Sequence, residues 1–181
     1  MPVTINGSGS IAGLSVGGLG DGAIVDAGSL AAGSVVQMQN VAISGNNVRT
    51  TTTTGSWLDN YSTTNQYQRI DFTPKFSNSK LLLLASGGLR YNADTQGNAG
   101  YAQVRIIDAT NSNTQVAYAK YGMYAYTGGY IRSSGHWTCM SYINASSTNL
   151  RRYTCQYYFD GAQTYYYGTE GDSITVMEIK V

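Results

Sequence analysis

The segment Arg69-Ile-Asp-Phe-Thr-Pro-Lys-Phe-Ser-Asn-Ser-Lys-Leu-Leu-Leu-Leu84 decides the fold. Ile70 and Phe72 alternate with Arg69 and Asp71, the period-two pattern of a strand with one buried and one wet face. Leu81 to Leu84 are apolar on both faces, so they are expected in a central strand that is covered on each side. The first pattern returns where Ala102, Val104 and Ile106 oppose Gln103 and Arg105. From Val35 onward, short segments rich in Val, Ile, Thr and Tyr recur between clusters of Gly, Asn, Ser and Asp, the signature of strands and turns. Strands are predicted near 35–43, 47–54, 67–73, 80–91, 100–109, 115–126, 130–143, 151–159 and 173–181, with nothing longer than a turn reading as helix. This succession implies an all-β fold, an antiparallel β-sandwich or jelly roll over 35–181.

Residues 1–34 differ in kind. They hold nine Gly and no aromatic residue, and Gly loses more backbone freedom on folding than any other residue. Such an extended segment makes no core of its own. Its isolated aliphatics Ile11, Leu14, Val16, Leu19, Ile24 and Val25 are too many for a solvated spacer, which points to a docking peptide. For the first ten residues a floppy tail fits equally well. The boundary between segment and β domain is read at 34/35.

Composition bounds the rest. Charged residues make up 12% of the 181, about half the usual share, and the formal net charge is +1. Nucleic-acid binding needs clustered Lys and Arg, and the only adjacent basic pair is Arg151-Arg152, so no nucleic-acid partner is expected. No apolar run approaches a membrane span, and no Lys or Arg precedes Arg49, so neither membrane insertion nor a signal peptide is expected. Leu, Ile, Val and Phe together number 35 of 181, which forecasts a core rich in Tyr. An assembly that shares its core between chains would relieve that shortage.

Catalytic groups are sparse. His136 is the single histidine, read as structural, and no nucleophile-elbow motif accompanies it. The eight Asp and two Glu are scattered singly, whereas glycoside hydrolysis needs a flanking pair. No catalytic residue, metal ligand or cofactor is assigned. Asn92-Ala-Asp94-Thr-Gln96-Gly97 lacks the closing Glu of a calcium loop and reads as a turn. Cys139 and Cys155 fall opposite each other if 137–143 pairs with 151–157 around the turn 144–149. Directly opposed Cys suit a bridge poorly, so two reduced thiols are favoured.

Tyrosine is the unusual feature: thirteen of the 16 lie between Tyr101 and Tyr167. Tyr joins a flat apolar face to a hydroxyl, which suits recognition and wet interfaces, though it is also a good strand former. Most are assigned to sheet faces and subunit contacts. Tyr124, Tyr126, Tyr130, Tyr165, Tyr166 and Tyr167 flank Gly-rich turns and are the candidate receptor-binding residues.

Gly33-Ser-Val-Val-Gln37, the stretch from Ile70 to Leu84 and the closing Ser173-Ile-Thr-Val-Met-Glu-Ile179 together resemble C-terminal modules of bacteriophage tail-fibre proteins, particularly of aquatic phages. The resemblance covers about 33–181. It implies a non-enzymatic homotrimer in the virion, assembled in the host bacterial cytoplasm, with residues 1–34 docked to other virion proteins and the β domain on a host surface glycan or protein. It offers no catalytic residues. Only about 34 residues precede the domain, with no extended shaft, which leaves a short fibre, a baseplate appendage or a head fibre open. A decoration protein that cements a capsid or tail without a receptor is the alternative, and a polysaccharide depolymerase the third.

Overall fold

The computed structural model describes residues 4–5, 11–12, 30–43, 49–51, 55–60, 67–93, 99–124, 131–160, 164–167 and 171–181. The chain divides into two compact units, Met1–Ala31 and Ala32–Val181. In the first, β1 (Thr4–Ile5) and β2 (Ile11–Ala12) pair antiparallel, with Ile5 opposite Ile11.

The second unit is all-β among its described residues. It runs through β3 (Val35–Ala42), β4 (Arg49–Thr51), β5 (Trp57–Asp59), β6 (Arg69–Phe72) and β7 (Lys80–Ala93). There follow β8 (Ala99–Asp108), β9 (Thr114–Tyr124), β10 (Ile131–Asn144), β11 (Arg151–Asp160), β12 (Thr164–Tyr167) and β13 (Ser173–Ile179). Every pairing is antiparallel, and the strands form a six-stranded and a five-stranded sheet. The antiparallel sandwich expected from the strand pattern is the fold observed.

Strand β7 is the spine of the six-stranded sheet. One edge pairs with β10 over 14 residues, from Lys80 opposite Asn144 to Ala93 opposite Ile131. The other edge is shared: β13 pairs along Lys80–Ser86, β12 along Arg90–Asn92, and these are flanked by β3 and β4. In the five-stranded sheet β8 lies between β9 and β11, and the far edge of β11 is likewise shared by β6 and β5. Between those two, Cys155 donates its N–H to Gln68 O and accepts from Asn60 N–H, so the ladder continues across the break.

Period two sends alternate residues into one core. Leu81, Leu83, Ala85, Trp137, Cys139, Ile174 and Val176 from one sheet meet Phe72, Ala102, Val104, Ile106, Tyr153, Cys155, Tyr157 and Phe159 from the other. Trp137 meets Tyr157 edge to face at 5.6 Å across the interior. Two tyrosines thus take core positions that aliphatics usually fill, as the short supply of Leu and Ile forecasts. At the open side, Tyr121 reaches from β9 to β10: its hydroxyl donates to Thr138 O at 2.7 Å and accepts from Thr138 N–H at 2.8 Å.

Two expectations are corrected. Cys139 and Cys155 are not a cross-strand pair, because β10 pairs with β7 and β11 with β8, in different sheets. The 145–150 connection, with Ala145 buried and Ser146 at φ 60°, carries the chain from one sheet to the other. The physical reason is length: β7 offers β10 a 14-residue ladder that a six-residue turn to β11 would forfeit. Both thiols are free and buried; burial pushes Cys139 up to about 11 and Cys155 well above its ordinary value. The Leu run is indeed central, but Leu82 and Leu84 are only half-covered on the outer face.

Near the chain's start in this unit, three distant segments meet on one carboxylate. Glu178, fully buried, accepts from Lys75 N–H (2.9 and 3.0 Å), Phe76 N–H (2.9 Å), Ser79 Oγ (2.6 Å) and Gln37 Nε2 (2.7 Å). Burial pushes this carboxyl up, but the donors from Lys75, Ser79, Phe76 and Gln37 outweigh it and hold it below its ordinary value. The segments 33–37, 70–84 and 173–179 are therefore one structural unit, clamped at the end where β3 begins.

Candidate recognition surface

The outer face of the five-stranded sheet carries rings, cations and amides that contact one another across the strands. Trp57 on β5 stands opposite Tyr158 on β11, their rings 5.5 Å apart and tilted by 51°. The Arg105 guanidinium lies 4.0 Å over the Trp57 ring and donates to Gln156 Oε1 through Nε (2.9 Å) and Nη2 (2.7 Å). Gln156 passes the chain on to Asp59 through Nε2 at 2.7 Å. Desolvation holds Arg105 below its ordinary value, with Asp59 opposing. Further along, Lys120 sits 4.3 Å over Tyr101, and Tyr118 donates to Gln103 at 2.9 Å. Arg152 clasps Asp71 at 2.7 and 2.8 Å, and that pairing holds the Asp71 carboxyl low. The result is a flat field of rings, cations and amides that suits stacking and hydrogen bonding to a planar or polyhydroxylated partner.

A cleft opens through the other sheet. Strand β13 leaves β7 at Ser86, and β12 joins only at Arg90. Asp172 occupies the gap: its Oδ1 accepts from Gly88 N–H at 2.9 Å, and its Oδ2 from Asn60 Nδ2 at 2.9 Å and the Tyr157 hydroxyl at 3.3 Å. Asn60 also donates to Gln68, which ties down the Ser86 and Ser173 carbonyls at 2.9 and 2.6 Å. Gly87 forms the floor, where a Cβ would meet Asp172 Oδ1 at 2.6 Å and Trp137 Cζ2 at 2.7 Å. The space, about 210 Å³, is bordered by Ser86, Gly88, His136, Trp137, Thr138 and Asp172. His136 is exposed at its rim. Burial and then Asp172 push the Tyr157 phenol up, so the Tyr157 hydroxyl keeps its proton in this cluster. Among the described residues, no three His, Cys, Asp or Glu side chains gather as a metal site would require.

The sequence-predicted residues fall as follows. Tyr124 ends β9 opposite Ala99. Tyr165, Tyr166 and Tyr167 lie in β12, with Tyr165 opposite Tyr91 and Thr51, and Tyr166 opposite Arg90 and Thr50. The last turn of β7, the first of β8, the last of β9 and the first of β10 share one end of the sandwich, so Tyr124 and β12 belong to the same end. Ile11 begins β2 opposite Ile5. Tyr126, Tyr130, Leu14, Val16, Leu19, Ile24 and Val25 lie outside the described residues. Sequence reasoning missed Trp57 and Tyr158 as a pair, because the three-residue strand β5 is too short to show alternation. It did place Gln103 and Arg105 on a wet face.

No family model matches the chain, and no curated protein matches it. Solved structures similar to it include two of infectious bursal disease virus, the Gx and Gt strains, each at 12% identity, with TM-scores of 0.29 and 0.30. A crystal structure of the VP2 subviral particle of the same virus aligns at 10% identity and a TM-score of 0.22. The alignments cover 79–80% of this chain but only 36–40% of those chains.

Proposed function

We propose that the chain is a component of a phage virion, a short fibre or receptor-binding appendage whose β-sandwich attaches to the host cell surface as a homotrimer, with residues 1–34 held by other virion proteins. The observation that supports this reading is the polarity of the sandwich. The chain enters at the end clamped by Glu178, where Gly33 N–H donates to Lys180 O and Lys180 N–H to Ser34 O. Tyr124 and Tyr165–Tyr167 belong to the opposite end. A module attached at one end and carrying tyrosine positions in the strands at the other is organised for contact at its tip.

The outer face of the five-stranded sheet favours a second reading, a decoration protein without a receptor. Its cations are held by its own rings, amide and carboxylate, Arg105 by Trp57 and Gln156, Lys120 by Tyr101 and Arg152 by Asp71, rather than offered to a receptor. Adsorption separates the two. Labelled protein should bind saturably to cells of the bacterium on which the particle grows, and replacing Tyr124, Tyr126 and Tyr130 by Ser should weaken binding at least tenfold with melting unchanged. Absence of saturable adsorption would leave the decoration reading standing. Unchanged adsorption by the triple variant would remove these tyrosines from the site.

A further inference from the structure

The Leu81–Leu84 run calls for cover on both faces, and the sandwich supplies it on one. Register fixes what shares the other. Tyr142, Leu82, Met177 and Met38 lie in one row across β10, β7, β13 and β3, and Met140, Leu84, Thr175 and Asn40 in the next. Met140 is 66% exposed, Met38 59% and Tyr142 57%. Of the eight exposed large apolar side chains among the described residues, these three lie on the face, and Val35, Leu150 and Val181 lie at the adjoining end where β3 begins. From Lys80 to Ser86 this face carries one charged side chain, Lys80, held by Asn144 and stacked 5.7 Å from the Tyr142 ring. The outer face of the five-stranded sheet, by contrast, carries Asp59, Arg69, Asp71, Arg105, Lys120, Arg152 and Asp160.

We infer that the outer face of the six-stranded sheet is where a second copy of this chain docks. It takes from the reading above only that the chain assembles with itself, and it locates the contact. Charge decides the occupant. From Lys80 to Ser86 the face is nearly uncharged, so packing it on neighbouring copies around a trimer axis opposes no like charges, and Met and Tyr are the residue types enriched where subunits meet while charges are depleted. Area agrees. Four strands about 4.8 Å apart and seven residues long cover roughly 400 Å². Val35, opposite Ile179, and Val181, just beyond β13, extend this to roughly 500 Å², so two copies would bury about 1,000 Å², the area a specific interface must clear.

The test is native mass spectrometry and sedimentation of the full chain at micromolar concentration, alone and as Met140→Glu, Met38→Glu and Lys120→Glu. The unaltered chain and Lys120→Glu should assemble. Each Met variant should raise the dissociation constant at least about 100-fold, since it sets an unpaired charge in the contact. Both Met side chains are mostly exposed in the single chain, so each variant should keep the circular-dichroism spectrum of the unaltered chain while losing only the melting increment that assembly adds; two variants on different strands guard against one that misfolds. Single chains throughout would overturn both this inference and the homotrimer. Assembly of both Met variants as tight as the unaltered chain, or equal weakening by Lys120→Glu, would overturn the assignment of the face and leave the homotrimer standing.

Discussion

Replacing Glu178 by Gln keeps shape and removes charge, which makes it a sharp probe of the clamp. In the folded chain the carboxylate is the common acceptor of Lys75 N–H, Phe76 N–H, Ser79 Oγ and Gln37 Nε2, and it is fully buried. A Gln carbonyl at the Oε1 position would still accept from Phe76 and Ser79, but its amide at the Oε2 position would face the donors of Lys75 and Gln37. Losing the charge from four bonds and opposing one pair of donors should cost about 2–4 kcal/mol, given roughly 1.5–3 kcal/mol for a hydrogen bond to a charged group. At about 2–4 °C per kcal/mol for a chain of this size, the melting point should fall by about 4–16 °C. Glu178→Ala leaves the Lys75 and Phe76 N–H groups without their acceptor, while Gln37 Nε2 keeps Thr73 O and Ser79 Oγ keeps Phe76 O, and should cost about 2 kcal/mol more. The pH dependence follows from the lowered folded-state value. The clamp's contribution is full above the unfolded value near 4.5 and is lost as pH falls through the lower folded one. Urea unfolding at pH 7, 5, 4 and 3 should therefore show the gap between wild type and Glu178→Gln closing below pH 4.5. Asp71, held low by Arg152, titrates in both proteins and cancels in the comparison. A Gln variant within about 0.5 kcal/mol of wild type at pH 7, with a parallel pH profile, would refute the reasoning.

Gly87→Ala drives a methyl into Asp172 and Trp137 at 2.6–2.7 Å. Trp137 is wedged in the core, so the variant should lose about 1–3 kcal/mol in thermal unfolding; an unchanged melting point would show that the cleft floor yields. Tyr121→Phe strips the Thr138 amide and carbonyl of their shared hydroxyl, and should cost about 1–2 kcal/mol and speed hydrogen exchange at the Thr138 amide, with unchanged exchange as the contrary result. Cys139, pushed up to about 11 by burial, and Cys155, raised further, should stay unlabelled by a thiol reagent at pH 8 until denaturant is added. Rapid labelling of the native chain would contradict that burial.

Local alternation and long-range pairing were unequally legible in the sequence. Ile70 against Asp71, and Val104 against Arg105, disclose strands and their wet faces because period two is a property of neighbours. Which strand β10 joins is not such a property. Trp137, Cys139 and Ile143 would face a core in either partnership, and β7 wins because it can match β10 residue for residue over its whole length. The same limit hides β5 and β12, which exist as strands only because β11 and β7 have edge left over beside β6 and β13. The stacked pair Trp57 and Tyr158 follows from such a leftover edge, so no spacing along the chain could have announced it.

The three quoted segments 33–37, 70–84 and 173–179 carry a different lesson. They look like recognition motifs by their specificity, yet their side chains converge on one buried carboxylate and on the ladder between β3, β13 and β7. Glu178, Ser79 and Gln37 together clamp the β unit at one end, and the residues at the other end take no part in that clamp. What such a module contacts must then be sought among residues outside the clamp: the tyrosines at the opposite end, the ring-and-cation field around Trp57, and the uncharged rows of Leu82 and Leu84. Of these three, the last is the apolar face that one chain leaves half-covered, which is why we infer that a second copy docks there.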